Sequence, residues 1–592
     1  MASIHADFFR ENFRGLSTEN DAETYDVILG NAPWDQDSET EHARAWAENR
    51  AHEWPIPNKA VGTLFLAKAA TLAKHDGRVS MIQPASSLLF NRSGPATRFR
   101  EKLFSAFKVE QIVNLSTLRF ELFEDAVSPP CIVTIRPTPP DDTPLVYISP
   151  KQVKPAGGAE VTATQYTIVI EPHDISRIWP DEAIGQPLVW TALAWGGRRD
   201  LHLVQRLSRM SSLEKRVKSG IAICRNGIER GSKTIRHSEI IGRRILETRD
   251  FPEGTFLFLD PSDLPVNENP WTHRLTDLSA FSVPQVILKR SWTREAARFR
   301  AVKVVNNGSH PGVICSQNFV SVHVPPENAD LTDAAVLVYN SKLAVYFLLL
   351  TSGRIASYRP NAVVKDLLSV PLAPRVPELA SVQDVDRVDE LVHDAFAFRD
   401  AEWTLVEDLF RYTLPDFQGD ETSPGRQPTT RVPRFTQPAK SEPHLAAYCR
   451  YFVRVLKAGF GQDKPVCATI FQDDAQSPLP VRLVAIHLDW PSDEQIVVES
   501  IDSAALCERL LELDQKLLTS GRPNRGGILY QRVAMVYSEF QHQRRSIPTV
   551  YIVKPDRIRY WTRSAALRDA DEVAADVQLW RQRARPVSRG RK

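Results

Sequence analysis

The run YDVILGNAPWD, Tyr25 to Asp35, constrains this chain more than any other stretch. Val27, Ile28 and Leu29 form a short apolar run that stops at Gly30, Asn31 and Pro33. Such a run reads as a strand ending in a turn. The turn then stands at a strand's carboxyl end, where open α/β sheets bind ligands.

Strand and helix signals alternate through residues 1–150. VGTLFLAKAATLAKHDG has helical spacing and closes at Gly77; RVSMIQP follows as a strand, ATRFREKLFSAF as a helix, VEQIVNLS and SPPCIVTIRP as strands. This order predicts an α/β domain with a parallel sheet and right-handed crossovers. Residues 151–412 change character to short strands, loops and helices, with LTDAAVLVYNSKLAVYFLLLT read as one long helix and a helical end at 376–412. The Pro-, Thr- and Ser-rich stretch 413–441 reads as a linker. Residues 442–592 read as a small α+β domain, an interaction module.

At 592 residues the chain is too long for one core. A net charge of +2 does not by itself announce a nucleic-acid partner, so such a surface must be local. The six cysteines show no CxxC spacing, which argues against a structural zinc or a redox pair and predicts no metal. The most apolar window, Leu343 to Leu350, is too short to span a bilayer, and the N-terminus has no secretory pattern. The expectation is a cytoplasmic protein with no membrane partner.

Asn-x-Pro-aromatic has a chemical rationale. The exocyclic amine of adenine is a poor nucleophile because its lone pair is delocalised into the ring. Two acceptors aimed at its hydrogens orient it and favour a pyramidal nitrogen. Asn31 supplies a side-chain oxygen, Ala32 a backbone carbonyl, Pro33 stiffness and Trp34 a ring to stack on a flipped base. An ordinary turn after a strand is the bland alternative.

The segment resembles the Asp-hydrophobic-Gly-Asn-Pro-Pro-Tyr motif of the N6-adenine DNA methyltransferases. Ala32 stands where that motif has its first proline, so the carbonyl is kept and loop rigidity is reduced. The resemblance spans residues 4–375, in the γ order of large restriction–modification and phage-defence enzymes. It implies a partial Rossmann-like methyltransferase sheet over 1–150, an α+β target-recognition region over 151–412 and a small C-terminal α+β domain. It further implies S-adenosylmethionine as cofactor and double-stranded DNA as partner. In LFLAKAATLAKHDGRVSMIQPASSLLF it places Pro84, Ser86 and Ser87 near DNA, with a simple strand-end turn as the alternative. Phe65 reads as helix core before pocket wall.

The family's Gly-rich strand–turn–helix does not precede Asn31 here. SIHADFF resembles the next element, with Asp7 as the acidic residue beside the cofactor; a helix N-cap before FFRENF is the equal alternative. Three explanations stand: a split enzyme whose second subunit supplies the cofactor site, lost activity with DNA binding retained, or a chain that starts late. The split reading is favoured, because a parallel edge without its neighbour needs covering.

Two basic stretches carry the DNA expectation. One contains Lys215, Arg225 and Arg230; the other contains Lys289, Arg290, Arg294 and Arg298. Arginine and lysine meet phosphates, and arginine also reads guanine edges. A solvated basic face is the alternative. The functional expectation is a partner-dependent, site-specific adenine-N6 DNA methyltransferase subunit. The alternative is an inactive DNA-recognition subunit. Glutamine methylation, RNA and cytosine-N4 substrates remain open, because the loop senses an amine. SPPC at Ser128–Cys131 lacks an aromatic ring and reads as structural.

Overall fold

The computed structural model describes residues 7–34, 39–50, 53–59, 61–118, 122, 128–155, 166–230, 235–252, 257–273, 277–292, 297–306, 308, 310–356, 361–379, 382, 385–418, 420, 422–429, 443–460, 465–472, 479–491, 494–519 and 533–584. The chain forms two compact units, Met1–Phe398 and Arg399–Lys592.

The first unit begins with a mixed six-stranded sheet. Its strands are β1 (Tyr25–Asn31), β2 (Ala73–Pro84), β3 (Lys108–Asn114), β4 (Pro130–Arg136), β5 (Leu145–Ile148) and β6 (Ile175–Ile178). Their spatial order is β1-β2-β4-β3-β5-β6. β1 and β2 are parallel, as are β3 and β5, but β4 runs antiparallel between β2 and β3. This corrects the all-parallel expectation. A strand's sequence carries no direction, and β4's return between β2 and β3 is set by the connection that precedes it.

Helix α1 (Glu41–Glu48) is N-capped by Thr40, whose hydroxyl accepts the Ala43 N–H. Helix α2 (Gly62–Leu72) crosses from β1 to β2 and buries Leu64, Leu66, Ala67 and Leu72. The strand after it starts at Ala73, four residues before Gly77. The β1–β2 register slips between Tyr25 and Val27, and Gly77 lies against the Tyr25 and Asp26 carbonyls, where a Cβ would come within 2.9 Å of Asp26 O. Glycine permits that approach. Helix α3 (Gly94–Ala106) buries Phe99, Leu103 and Phe104.

A five-stranded sheet follows in the same unit, in the order Phe258–Leu259, Ala301–Val304, Gln285–Lys289, Phe319–His323, Ile223–Asn226. Ile287, Val302, Val304 and Phe319 anchor its core. The expected single helix over 331–351 is two helices, Asp330–Tyr339 and Lys342–Thr351, bent by 77°. Asn340 makes the break. Its amide donates to Val336 O at 2.7 Å and Ala301 O at 2.8 Å, and accepts from Arg300 Nε at 3.1 Å. Both helices are buried along nearly their whole length. Among the described residues no single helix is long and apolar enough to cross a membrane.

The second unit has a five-stranded sheet in the order Ile496–Ser500, Cys467–Gln472, Val481–His487, Arg545–Pro555, Ala534–His542. Helices Pro443–Phe460 and Arg563–Ala584 contribute Tyr448, Phe452, Ala566 and Val573 to the core on one face. The boundary falls at Phe398/Arg399, ahead of the Pro-rich stretch 413–441. Glu407 and Asp408 receive Arg563 of the last helix at 2.9 and 3.0 Å, and the Thr429 N–H donates to Asp556 at 2.9 Å. Those contacts tie 399–412 and part of the expected linker to the second unit. Residues 430–441 lie outside the described set.

Candidate functional site

β1 delivers Asn31 to the carboxyl end of the sheet, paired with Ile82 of β2. Asn31 is exposed, Ala32 is buried, Pro33 is exposed and Trp34 is half-buried. The Ala32 N–H points at Ile82 O across 3.4 Å, so the turn stays close to the sheet for one residue beyond the strand. Pro33 O lies against the first residue of α2: a Cβ on Gly62 would sit 2.5 Å from it. Trp34 folds back and its Nε1–H donates to Asn31 Oδ1 at 3.1 Å. The aromatic ring and the amide oxygen named by the sequence are therefore adjacent, and the oxygen has a donor from its own loop.

The segment before β1 is tied onto α2. Phe65 stacks on Phe8 with centroids 4.8 Å apart and meets Phe9 edge-on at 5.0 Å, which makes it part of the packing and not an open wall. The fully buried Lys68 ammonium donates to Glu11 at 2.5 Å. Burial pulls the Lys68 pKa down, while Glu11 opposes that shift. Asp7 Oδ1 accepts the Phe9 N–H at 3.0 Å and Oδ2 accepts the Thr40 hydroxyl at 2.9 Å. Asp7 thus bridges the N-terminal turn to the start of α1; the residues after it form turns and not the helix that its capping alternative supposed. Residues 3–6 of the expected cofactor strand lie outside the described residues.

Asp7, the residue expected beside S-adenosylmethionine, accepts one hydrogen bond on each carboxylate oxygen from within the chain, which leaves each oxygen a second acceptor site.

Beyond β2, Ser86 and Ser128 share a hydroxyl hydrogen bond of 2.7 Å, and the segment Ser86–Phe90 winds as a π-helix. Arg100 holds its end, donating to Leu88 O at 3.1 Å and Asn91 O at 2.6 Å. Burial, with a smaller push from Arg92, lowers the Arg100 pKa to about 10. Arg92 donates to Thr351 O and so joins this segment to the second buried helix. Cys131 is fully buried in β4, in keeping with a structural SPPC.

The expected DNA cations divide. Exposed Lys215 donates to Ser208 O and Met210 O, closing the preceding helix. Arg225 is exposed and 3.4 Å from Asp277. Arg230 is exposed and donates to Asn267 and Trp271 O. Lys289 and Arg290 are half-buried at the end of one strand. Arg294 lies outside the described residues. Arg298 departs from expectation: it is buried and forms a two-pronged ion pair with Asp389 at 3.0 and 2.7 Å. A partner 91 residues away in sequence is invisible to a reading of local charge runs.

One group of acidic and histidine side chains, Glu171, His173 and Asp174, comes together among the described residues. Lys151 already meets Asp174 at 2.7 Å. Arg300, counted in the second basic stretch by sequence, is half-buried. Gly62, which packs against the loop, was not singled out by sequence; a glycine opening an apolar helix was the available signal.

Residues 3–120 match the model of the family described as Eco57I restriction-modification methylase, and this segment is identified by that match as a member. No curated protein matches the chain. Among solved structures, the type IIG restriction endonuclease BpuSI is 14% identical, over 70% of this chain and 56% of that one, with a TM-score of 0.29. The type IIL restriction-modification enzyme MmeI, solved in complex with DNA, is 11% identical over 66% and 57%, with a TM-score of 0.35. A type I methyltransferase subunit from Streptococcus thermophilus is 15% identical over 28% and 32%, with a TM-score of 0.21. The chain spans little more than half the length of the first and second of these.

Proposed function

We propose that this chain is a subunit of a site-specific adenine-N6 DNA methyltransferase in a restriction–modification or phage-defence system, with a partner supplying the S-adenosylmethionine site. The observation that carries the reading is the loop: Asn31 at the carboxyl end of a parallel strand, with Trp34 against its amide. The amide oxygen and the Ala32 carbonyl would hold the two amine hydrogens, and Trp34 would stack on the flipped base. The family of residues 3–120 supports methyl transfer as the chemistry.

The partner is supported by β1 itself. It is the outermost strand of its sheet among the described residues, and Val27 and Leu29 are 62% and 76% exposed. A parallel strand normally has both faces covered. Double-stranded DNA as substrate is supported by the basic recognition region.

Co-purification with mass spectrometry, followed by mixing the chain with the protein it retains, tests the reading. Methyl transfer to duplex DNA is expected from the mixture, with no micromolar S-adenosylmethionine binding by the chain alone in calorimetry. Micromolar binding by the isolated chain would sink the partner-supplied site. A second reading, an inactive DNA-recognition subunit, is favoured by one observation: the Asn31 acceptor is occupied by Trp34, in a loop where Ala32 replaces proline. Absence of methyladenine from every complete assembly would select it.

A further inference from the structure

Three cations gather at one end of the five-stranded sheet. The Lys289 N–H donates to Arg300 O at 2.8 Å, so the two residues sit side by side on neighbouring strands. Both heads lie over the Phe251 ring, Lys289 Nζ at 5.6 Å and Arg300 Cζ at 5.5 Å from its centroid. Phe251 in turn stacks on Phe319 at 5.5 Å. Arg290 follows directly. It donates to Gln317 O at 3.2 Å, and its Nε is buried with no hydrogen-bond partner among the described residues.

None of the three meets a carboxylate among the described residues. Among the described residues the Arg300 guanidinium donates to the Asn340 amide oxygen and the Pro252 carbonyl. The neighbouring carboxylate, Asp250, lies 3.7 Å from Arg249. Burial lowers the pKa of all three, and a neighbouring cation adds to each shift: Arg300 acts on Lys289, Arg354 on Arg290 and Arg298 on Arg300. Like charges held together, partly out of water and without a counter-ion among the described residues, cost free energy that a bound anion would recover.

The location is as informative as the charge. Arg354 follows Gly353, which packs directly on Phe90 with no room for a Cβ. Phe90 ends the π-helix that leaves β2, and Pro84 of β2 lies beside Gly62 and Pro33. Contacts therefore run from the Asn31 loop through Gly62 and Pro84 and from Phe90 to Gly353, the residue before Arg354, whose charge acts on Arg290.

We propose that Lys289, Arg290 and Arg300, with Arg354 beside them, form a phosphate-binding ridge that holds a nucleic-acid backbone next to the Asn31 loop. The proposal rests on the DNA-substrate reading and deepens it. The ridge positions the strand; it does not read bases. Phe251 gives the Lys289 and Arg300 heads a fixed apolar floor, so their geometry is set before the phosphates arrive.

The test is the salt dependence of binding. Fluorescence anisotropy of the full chain with a labelled 25-base-pair duplex, from about 50 to 200 mM NaCl, gives the slope of log K against log salt. Each lost phosphate contact should make that slope shallower by about 0.9. Lys289→Gln should remove about one contact and Lys289→Gln/Arg290→Gln about two. The charge-preserving Lys289→Arg should keep the wild-type slope, which a purely structural role for positive charge loss would not separate. Lys74→Gln, at the opposite end of β2 from the loop, should leave the slope unchanged. Circular dichroism confirms that each variant is folded; if the double variant is not, Lys289→Gln alone decides. Wild-type binding with an unchanged slope in folded Lys289→Gln overturns the ridge and leaves the methyltransferase reading standing. No binding by the wild-type chain overturns the ridge and the DNA reading together. Loss of methylation in Asn31→Ala with the slope intact separates the two claims from the other side.

Discussion

The indole Nε1–H of Trp34 donates to the Asn31 amide oxygen across 3.1 Å. A base amine arriving at Asn31 must share the oxygen's two acceptor sites with that donor or displace it. Trp34→Phe removes the donor and keeps a stacking ring, so it should retain methyl transfer and lower KM in the assembled enzyme. Trp34→Ala removes the ring and should weaken base engagement by about 1–3 kcal/mol, as aromatic–base stacking does elsewhere. Steady-state kinetics on the two variants distinguishes them; equal losses in both would assign Trp34 to the fold alone.

Gly62→Ala should impair the loop without unfolding the chain. Gly62 is the first residue of α2, so the roughly 1 kcal/mol by which alanine is favoured over glycine in a helix interior counts for little there. The added methyl, however, lands 2.5 Å from Pro33 O and must push the loop away. Activity should fall at least tenfold, the order expected when a reacting group is misplaced by an ångström, while the melting temperature moves little. A parallel drop in both would mean that helix packing, and not loop position, is what glycine protects.

Arg298 belongs to the fold. Its pair with Asp389 is buried on both sides, and Asp389 also accepts the Lys342 N–H at 2.8 Å. Arg298→Ala leaves the buried Asp389 carboxylate with the Lys342 ammonium at 3.3 Å as its remaining cation and should destabilise the first unit by about 3 kcal/mol, the low end for a broken buried pair. Urea unfolding measures this. At temperatures where the variant remains folded, the salt slope of DNA binding should match wild type.

His487 makes the second unit sensitive to acid. Thr549 donates its hydroxyl to Ile547 O and therefore accepts from His487 Nδ1, which leaves Nε2 to accept from Thr469 at 2.8 Å. Burial, with a smaller contribution from His542, lowers the His487 pKa from 6.5 to about 4. The folded form thus holds the ring neutral where the unfolded chain binds a proton. Stability is fully present above pH 6.5 and is lost as pH falls toward 4, by about 3 kcal/mol. Unfolding of the full chain between pH 7.5 and 4.5 should show this loss in the second unit's transition. His487→Gln should flatten it; an equally steep decline in that variant would point to carboxylates instead.

The legible parts of this chain are local. Val27–Leu29 before Gly30-Asn31 marked a strand and its turn, because apolar runs and turn residues report on their own neighbourhood. The direction of β4 was not legible, since Pro130–Arg136 reads the same either way. Asn340, Ser341 and Lys342 visibly interrupt the apolar run, but a polar turn of helix reads the same as a break; the break exists because the Asn340 amide bonds to the Ala301 strand. Among the basic residues, local sequence could not distinguish Arg298, which meets Asp389, from Lys289, whose ammonium lies over an aromatic ring. Long-range partners decide such cases.

The most direct test of the account is nucleoside mass spectrometry of duplex DNA incubated with S-adenosylmethionine and the complete assembly, wild type against Asn31→Ala. The account predicts N6-methyladenine with the wild type and none above background with the variant, while both bind DNA equally. N6-methyladenine formed equally by the two, or none formed by the wild-type assembly, would contradict it.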